Sequence, residues 1–191
     1  IVKGHDFSRV TLVGVLLADL TLFSGDYRAG ERTFDLLTQA AGRAGRGDVP
    51  GKVVIQTYKP DNYAITAAAS QDYRAFYDIE EAYRSLMRYP PEWNMMVIMG
   101  TGMDEEQLAN IMDRMYSLIR GKYINAGHLS VIGPSEPAIS KIKDVYRRVL
   151  YIKHRDYRML VDVKDYVEEW LKENGESDVS VFFDMNPVNM Y

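Results

Sequence analysis

The stretch Gln39-Ala-Ala-Gly-Arg-Ala-Gly-Arg46 lies between two apolar runs, Val10-Thr-Leu-Val-Gly-Val-Leu-Leu17 and Val53-Val-Ile-Gln-Thr-Tyr58, and how it is read decides the first half of the chain. The first run is rich in β-branched residues and nearly uninterrupted, as suits a strand of a parallel sheet buried on both faces. From Glu31 to about Arg43, Phe34, Leu37 and Ala41 fall on one helical stripe, which the glycines at 45 and 47 then break. Strand, helix, strand is the right-handed crossover unit that ends an α/β lobe. If the helix continues through the quoted stretch, the spacing puts Gln39, Arg43 and Arg46 on one face. The intervening residues are Ala and Gly, which let a backbone or a ligand come close. Two guanidiniums on adjacent turns repel unless an anion lies between them, and the planar fork of Arg matches phosphate. Paired arginines reaching into a cleft suit phosphoryl transfer, where they offset charge growing on the γ-phosphate. Taken alone, Arg-x-Gly-Arg reads equally as an exposed basic helix end beside a Gly-rich turn.

The chain has 191 residues, 47% of them hydrophobic, enough for one large or two small cored domains. Its formal net charge of -4 does not mark it as a nucleic-acid binder. With no cysteine it has neither disulfides nor a Cys-based zinc site, in keeping with a reducing compartment. No run reaches the ~18 apolar residues of a membrane span. The opening Ile1-Val-Lys-Gly-His-Asp6 has no signal-peptide shape and reads as the middle of a motif, so a piece of a longer protein is expected.

Farther along, residues 62–70 are Ala-rich and helical in pattern. Residues 71–88 form a longer helix with Phe76, Ile79, Tyr83 and Leu86 on its apolar face, stopped by Tyr89-Pro-Pro91. A domain boundary is expected near Pro90. Beyond it, Met95–Met99 is a strand. Asp104-x-x-Gln107 resembles a capping box and opens a helix along Leu108, Ile111, Met112, Met115 and Leu118, ending at Gly121. His128–Ile132 and Val145–Lys153 are strands. Asp156 caps a helix with Leu160, Val163, Val167, Trp170 and Leu171 inward and Gly175 at its end, and Val179–Phe183 is the last strand. The order βαββαβ is the ferredoxin-like split unit, four strands with two helices on one face. The expected fold is α/β, a parallel-sheet lobe end followed by this small sandwich. The ten methionines serve mainly as core filler.

Gln-x-x-Gly-Arg-x-Gly-Arg resembles motif VI of superfamily 2 helicases, and Lys3-Gly-His-Asp-Phe7 resembles their motif V. With Gly51-Lys-Val-Val-Ile-Gln-Thr-Tyr58, Tyr89-Pro-Pro91 and Gly133-Pro-Ser-Glu-Pro137, the whole chain is similar to the C-terminal part of the PriA family of replication-restart helicases. The resemblance implies the end of a RecA-like lobe 2 at 1–60, a helical connector at 61–91 and a C-terminal domain, likened to ribosomal S10, at 92–191. It implies that Arg43 and Arg46 act as arginine fingers on ATP, with Gln39 positioning them or the attacking water. Gly4, Asp6 and Gly42 would line the nucleotide. Asp6 is alternatively a turn or helix cap, and His5 a structural residue. The intact protein would be a 3′-to-5′ ATP-dependent DNA helicase of the bacterial cytoplasm that reloads the replisome at abandoned forks. Its partners would be forked and single-stranded DNA, single-strand DNA-binding protein and other primosome proteins, with no membrane. The G-x-x-x-x-G-K-[S/T] phosphate loop is absent from this sequence. That loop, the Mg-binding acidic pair and the zinc-binding cysteines would belong to upstream sequence, so this chain would be silent by itself. Two other readings are a non-enzymatic nucleic-acid or protein-binding module and another superfamily 2 helicase, RecG-like or UvrB-like. Tyr89-Pro-Pro91 and Gly133-Pro-Ser135 speak against the latter.

Lys141–Arg158 carries seven Lys and Arg against two Asp, a net of +5, whereas residues 162–191 have a net of -6. On a strand, Arg147, Val149, Tyr151 and Lys153 share a face. If that face is open, it offers an aromatic ring flanked by cations, a platform for single-stranded DNA. If not, Tyr151 is core. The resemblance adds that DNA or the acidic tail of single-strand binding protein could dock around Arg155 and Arg158. His5, His128 and His154 are isolated in the sequence, and no metal is assigned to them.

Overall fold

The computed structural model describes residues 10–45, 50–123, 125 and 127–191. Two compact units divide the chain, Ile1–Tyr83 and Arg84–Tyr191.

In the first unit β1 (Leu12–Val15) pairs in parallel with β2 (Lys52–Ile55), and α1 (Ala29–Ala41) connects them. Both strands alternate between half-buried and exposed residues, and Leu12 is 61% exposed, so the double-sided burial expected of β1 is not found among the described residues. The core lies on the helical side. Phe34 and Leu37 of α1 pack with Ala64, Ile65, Ala67 and Ala68 of α2 (Tyr63–Ser70) and Phe76 of α3 (Tyr73–Leu86). The Phe34 and Phe76 rings stack at 4.4 Å. The small alanines of α2 allow that close approach. The side chain of Asn62 starts α2 by accepting the Ala64 N–H.

The apolar face expected on α3 is displaced. The helix buries Phe76 and Glu80, four residues apart, and leaves Ile79, Tyr83 and Leu86 exposed. Glu80 can be buried because it accepts the Tyr63 hydroxyl at 2.6 Å. Periodicity located the helix but not which side its neighbours would cover.

Asp19, in a short 3-10 turn (Ala18–Leu20) after β1, is buried. It ties this turn to the segment that follows β2. One carboxylate oxygen accepts the Thr57 hydroxyl at 2.7 Å and the other the Tyr58 N–H at 3.0 Å. The Tyr58 N–H is the main cause that holds its carboxyl below the usual range.

The second unit is a sheet in the order β4-β6-β3-β7, formed by β3 (Asn94–Gly102), β4 (Ser130–Ser135), β6 (Val145–His154) and β7 (Val179–Met185), with the short β5 (Lys141–Ile142) added to β6. All pairings are antiparallel. The helices α4 (Glu105–Tyr123) and α5 (Tyr157–Asn174) supply the crossovers, which gives the split βαβ order read from the sequence. Met96, Ile98, Leu150 and Ile152 of the central strands meet Leu108, Ile111, Met112, Met115 and Ile119 of α4 and Leu160, Val163 and Val167 of α5, all buried.

Asp104 caps α4 by accepting the Gln107 N–H, while the Gln107 amide turns to Glu176 instead of closing the box. Gly121 does not end α4. Nothing crowds that position, and the helix continues to Tyr123, whose ring packs on the core and whose hydroxyl donates to Asp162 O. Hairpin β5–β6 was not anticipated, because its two-residue turn uses Lys143 and Asp144, both left-handed, where Asn-Gly is the usual signal. Gly133, at φ 101, sits at a break in the β4–β6 register; a Cβ there would meet Val149 O at 2.7 Å.

The Asp19 contacts lead to a test. A carboxylate with a lowered folded pKa stabilises above its unfolded value near ~3.9, and that contribution is lost as pH falls through the folded value. Asp19→Asn should lower the urea midpoint of the first unit at pH 7, and the difference from wild type should shrink in acid below about pH 4. Denaturation followed by circular dichroism at the two pH values checks this.

Candidate functional site

The nucleotide-facing candidates collect at the end of α1. The helix stops at Ala41. Gly42 caps it, its N–H bonding to Thr38 O, and the Arg43 N–H bonds to Ala40 O. Arg43 therefore sits in a turn beyond the helix and not on a helical face continuous with Gln39. The cause is local: Gly45 adopts φ 73 and donates its N–H to Val10 O at 3.0 Å, pulling the chain across the start of β1. Gly51 approaches Gly45 so closely that no side chain fits at either position. Gln39 and Gly42 are exposed and Arg43 is half-buried. Arg46, Gly4 and Asp6 lie outside the described residues.

In the second unit the alternation of β6 decides where its charges go. Arg148 turns to the side of α4 and lies 3.9 Å from Glu105. Arg147, Val149, Tyr151 and Lys153 point to the other face, as the spacing required, but that face is not an open platform. Met95, Val97 and Val149 on it are fully buried. Asn186 clamps the end of β3, its amide oxygen accepting the Met95 N–H and its own N–H donating to Met95 O. The chain then returns so that Tyr191 O accepts the Tyr151 hydroxyl at 3.1 Å, while the Tyr191 hydroxyl donates to Asp184 at 2.6 Å. Tyr151 is half-buried, away from the helices but engaged by its own chain.

The cations of Lys141–Arg158 are consequently scattered. Lys141 pairs with Asp144 at 3.1 Å. Arg147 donates to Ile139 O and lies on Met99 Sδ. Lys153, which the spacing puts on the candidate platform face, is only 5% exposed. Its ammonium donates to Met87 O at 3.3 Å and lies 3.4 Å from the centre of the Tyr89 ring. Burial, with Arg88 nearby, pushes its pKa down to about 8. Arg155 and Arg158 are exposed, and the Arg155 guanidinium lies 5.5 Å from the Trp93 ring centre.

Sequence reasoning missed Arg88 and Trp93. The segment 87–93 reads as a helix stop, and cation–ring contacts across strands leave no spacing signal. Asp156 caps α5 through the Arg158 N–H, as read. His154 is structural: its Nδ1 accepts the Asp156 N–H, so its Nε2 donates to Gly127 O. Among the described residues no group of three His, Cys, Asp or Glu is placed to hold a metal ion, and no helix is long and apolar enough to cross a membrane.

The buried ammonium makes stability pH-dependent. Unfolded Lys titrates near ~10.4, so between pH 8 and 10 the unfolded chain binds more protons and folding gains as pH rises. The urea midpoint of this unit should rise across that window by at most ~3 kcal/mol in stability, and Lys153→Met should flatten the rise. Tyr151→Phe removes one hydrogen bond and should cost ~1 kcal/mol in the same urea titration.

A family model described as the primosomal protein N C-terminal domain matches residues 85–188. Replication restart protein PriA of Bacillus subtilis (strain 168) is 38% identical over 192 residues, covering 100% of this chain and 24% of that protein. The Synechocystis and Haemophilus influenzae proteins of the same name are 32% and 33% identical, over 98% of this chain and 22% and 25% of their own lengths. The chain thus spans about a quarter of the curated relatives it matches. Among solved structures, the de novo designed protein Foldit4 aligns with a TM-score of 0.36 at 16% identity, over 49% of this chain and 97% of that one. Since the matched residues take in all of the antiparallel sheet together with α4 and α5, the chain belongs to the primosomal protein N C-terminal domain family.

Proposed function

We propose that the protein to which this chain contributes is an ATP-dependent 3′-to-5′ DNA helicase of the bacterial cytoplasm that recognises stalled forks and restarts replication by primosome assembly. What carries the reading is the Gln39-to-Arg46 string at the end of the helix that joins two parallel strands, followed by a unit of the primosomal family. Residues 1–60 are read as the end of helicase lobe 2, 61–91 as a connector and 92–191 as the C-terminal domain.

Arg43 and Arg46 would stabilise charge on the γ-phosphate, and Gln39 would orient the arginines or the attacking water. The half-buried Arg43 among small residues fits such a role, since a ligand can reach it without displacing bulk. Gly4, Asp6 and Gly42 would line the nucleotide. Bound ATP supplies the phosphoanhydride whose cleavage drives translocation. Its phosphate loop and magnesium carboxylates are assigned to sequence outside this chain, as are the zinc cysteines. The second unit would contact forked or single-stranded DNA and single-strand binding protein through Arg155 and Arg158. Arg147, Tyr151 and Lys153 would support that surface from beneath.

In the intact protein, Arg46→Ala should lower kcat for DNA-stimulated ATP hydrolysis by ~10³ while nucleotide binding weakens far less, because the contact is strongest in the transition state. Steady-state kinetics with nucleotide titration measures both. An unchanged kcat would remove Arg46 from the nucleotide site. The 191-residue chain alone should show no ATP turnover above blank, and robust turnover would refute the need for another lobe.

A further inference from the structure

Arg88 stands where a glycine is normally needed. The end of α3 is a Schellman turn: the Tyr89 N–H bonds to Arg84 O and the Arg88 N–H to Ser85 O. The left-handed residue of that turn is Arg88, at φ 58. A side chain with a Cβ costs ~1 kcal/mol or more there, as it does at Gln71, which ends α2 in the same kind of turn; what sets Arg88 apart is where its guanidinium lies. It lies 5.0 Å from the Trp93 ring centre, with Arg155 5.5 Å from the same centre. Lys153 sits 3.4 Å from the neighbouring Tyr89 ring. Among the described residues none of these three cations has a carboxylate partner. Trp93 is 5% exposed, and its indole N–H is buried without an acceptor. Two arginines thus share the Trp93 ring, Lys153 lies on the adjacent Tyr89 ring within reach of the Arg88 charge, and the buried indole N–H has no acceptor.

We propose that Arg88, Lys153 and Arg155, gathered on the rings of Tyr89 and Trp93, form an oxyanion site that takes one backbone phosphate of a single-stranded nucleic acid. The inference rests on the reading that this unit engages DNA, and adds where and how. Arg88 and Arg155 are exposed and can offer their forks to an arriving group, while the buried Lys153 supplies charge from below. A backbone phosphate spreads its charge over two non-bridging oxygens, each with more than one lone pair and backed by two weaker ester oxygens, so two guanidinium forks and an ammonium can engage it together; an acidic carboxylate is the competing outcome of the test below. Trp93 is buried and Lys153 lies on the Tyr89 ring, so recognition rests on the phosphate contact and the site is indifferent to sequence. An anion would also offset the burial and the Arg88 repulsion that depress the Lys153 pKa.

The test uses the 191-residue chain and fluorescein-labelled oligo(dT), followed by anisotropy at several salt concentrations. Arg88→Gly relaxes the left-handed position, so its urea midpoint should equal or exceed that of wild type. Its affinity for oligo(dT) should nevertheless fall roughly threefold to tenfold, with the salt slope shallower by ~0.7. Arg155→Gln should do the same without touching the turn. In a Trp170→Phe background, which leaves Trp93 as the remaining tryptophan, oligo(dT) should change the emission. Wild-type binding that Arg88→Gly and Arg155→Gln leave unaltered, or an unchanged Trp93 emission, overturns the site while sparing the DNA reading. No binding by the wild-type chain removes both. A hexa-aspartate peptide that shifts Trp93 emission where oligo(dT) does not overturns phosphate in favour of a carboxylate partner.

Discussion

The second unit depends on β3 being buried on both faces and both edges. Its nine residues pair with β6 on one side and, from Met96 onward, with β7 on the other. Met96 and Ile98 face the helices while Met95 and Val97 face away, and all four are fully buried. A four-stranded sheet with helices on one side leaves the other side wet, so a strand without any polar face obliges the chain to cover that side too. Asn186 and the return of Tyr191 onto Tyr151 are part of that cover, and so are the contacts Lys153 makes with Met87 and Tyr89. Burying a lysine is costly. Here the cost follows from its place on β6, opposite Met95 in register.

Much of this was legible. The apolar period of α4 and α5, the Asp104 and Asp156 caps and the alternation of β6 each depend on nearby residues, and local rules recovered them. What was not legible depends on partners distant in sequence. The apolar stripe of α3 failed because Glu80, satisfied by Tyr63, took the place that Ile79 and Tyr83 were expected to share. The open platform around Tyr151 failed because spacing assigns a residue to a face without saying what covers it. The Arg88 turn escaped because a left-handed arginine violates the preference that makes helix ends readable. Such violations are expected where local rules yield to another demand.

The two units handle cationic side chains differently. At the end of α1, Arg43 is carried on a turn of small residues beside the glycine pair, where backbone approaches backbone and the guanidinium remains half-buried. Around Trp93, arginines lie on an aromatic face, which holds a guanidinium without a counterion and leaves its donors available. In the first arrangement glycine sets the geometry. In the second the ring does, and the one position where glycine would be easier is occupied by arginine.

The break at Gly133 and Pro134 has a bearing on solubility. β4 is an outer strand of the sheet, and an intact outer strand exposes a row of free amides and carbonyls that a second molecule can extend. Here the row is interrupted: Pro134 has no N–H to offer, the register slips between Ile132 and Ser135, and β5 takes over the pairing with β6 farther along. An incoming strand would find no continuous ladder on that side. Templated growth of this sheet into filaments is thus disfavoured at β4, by a proline and a slipped register instead of by surface charge.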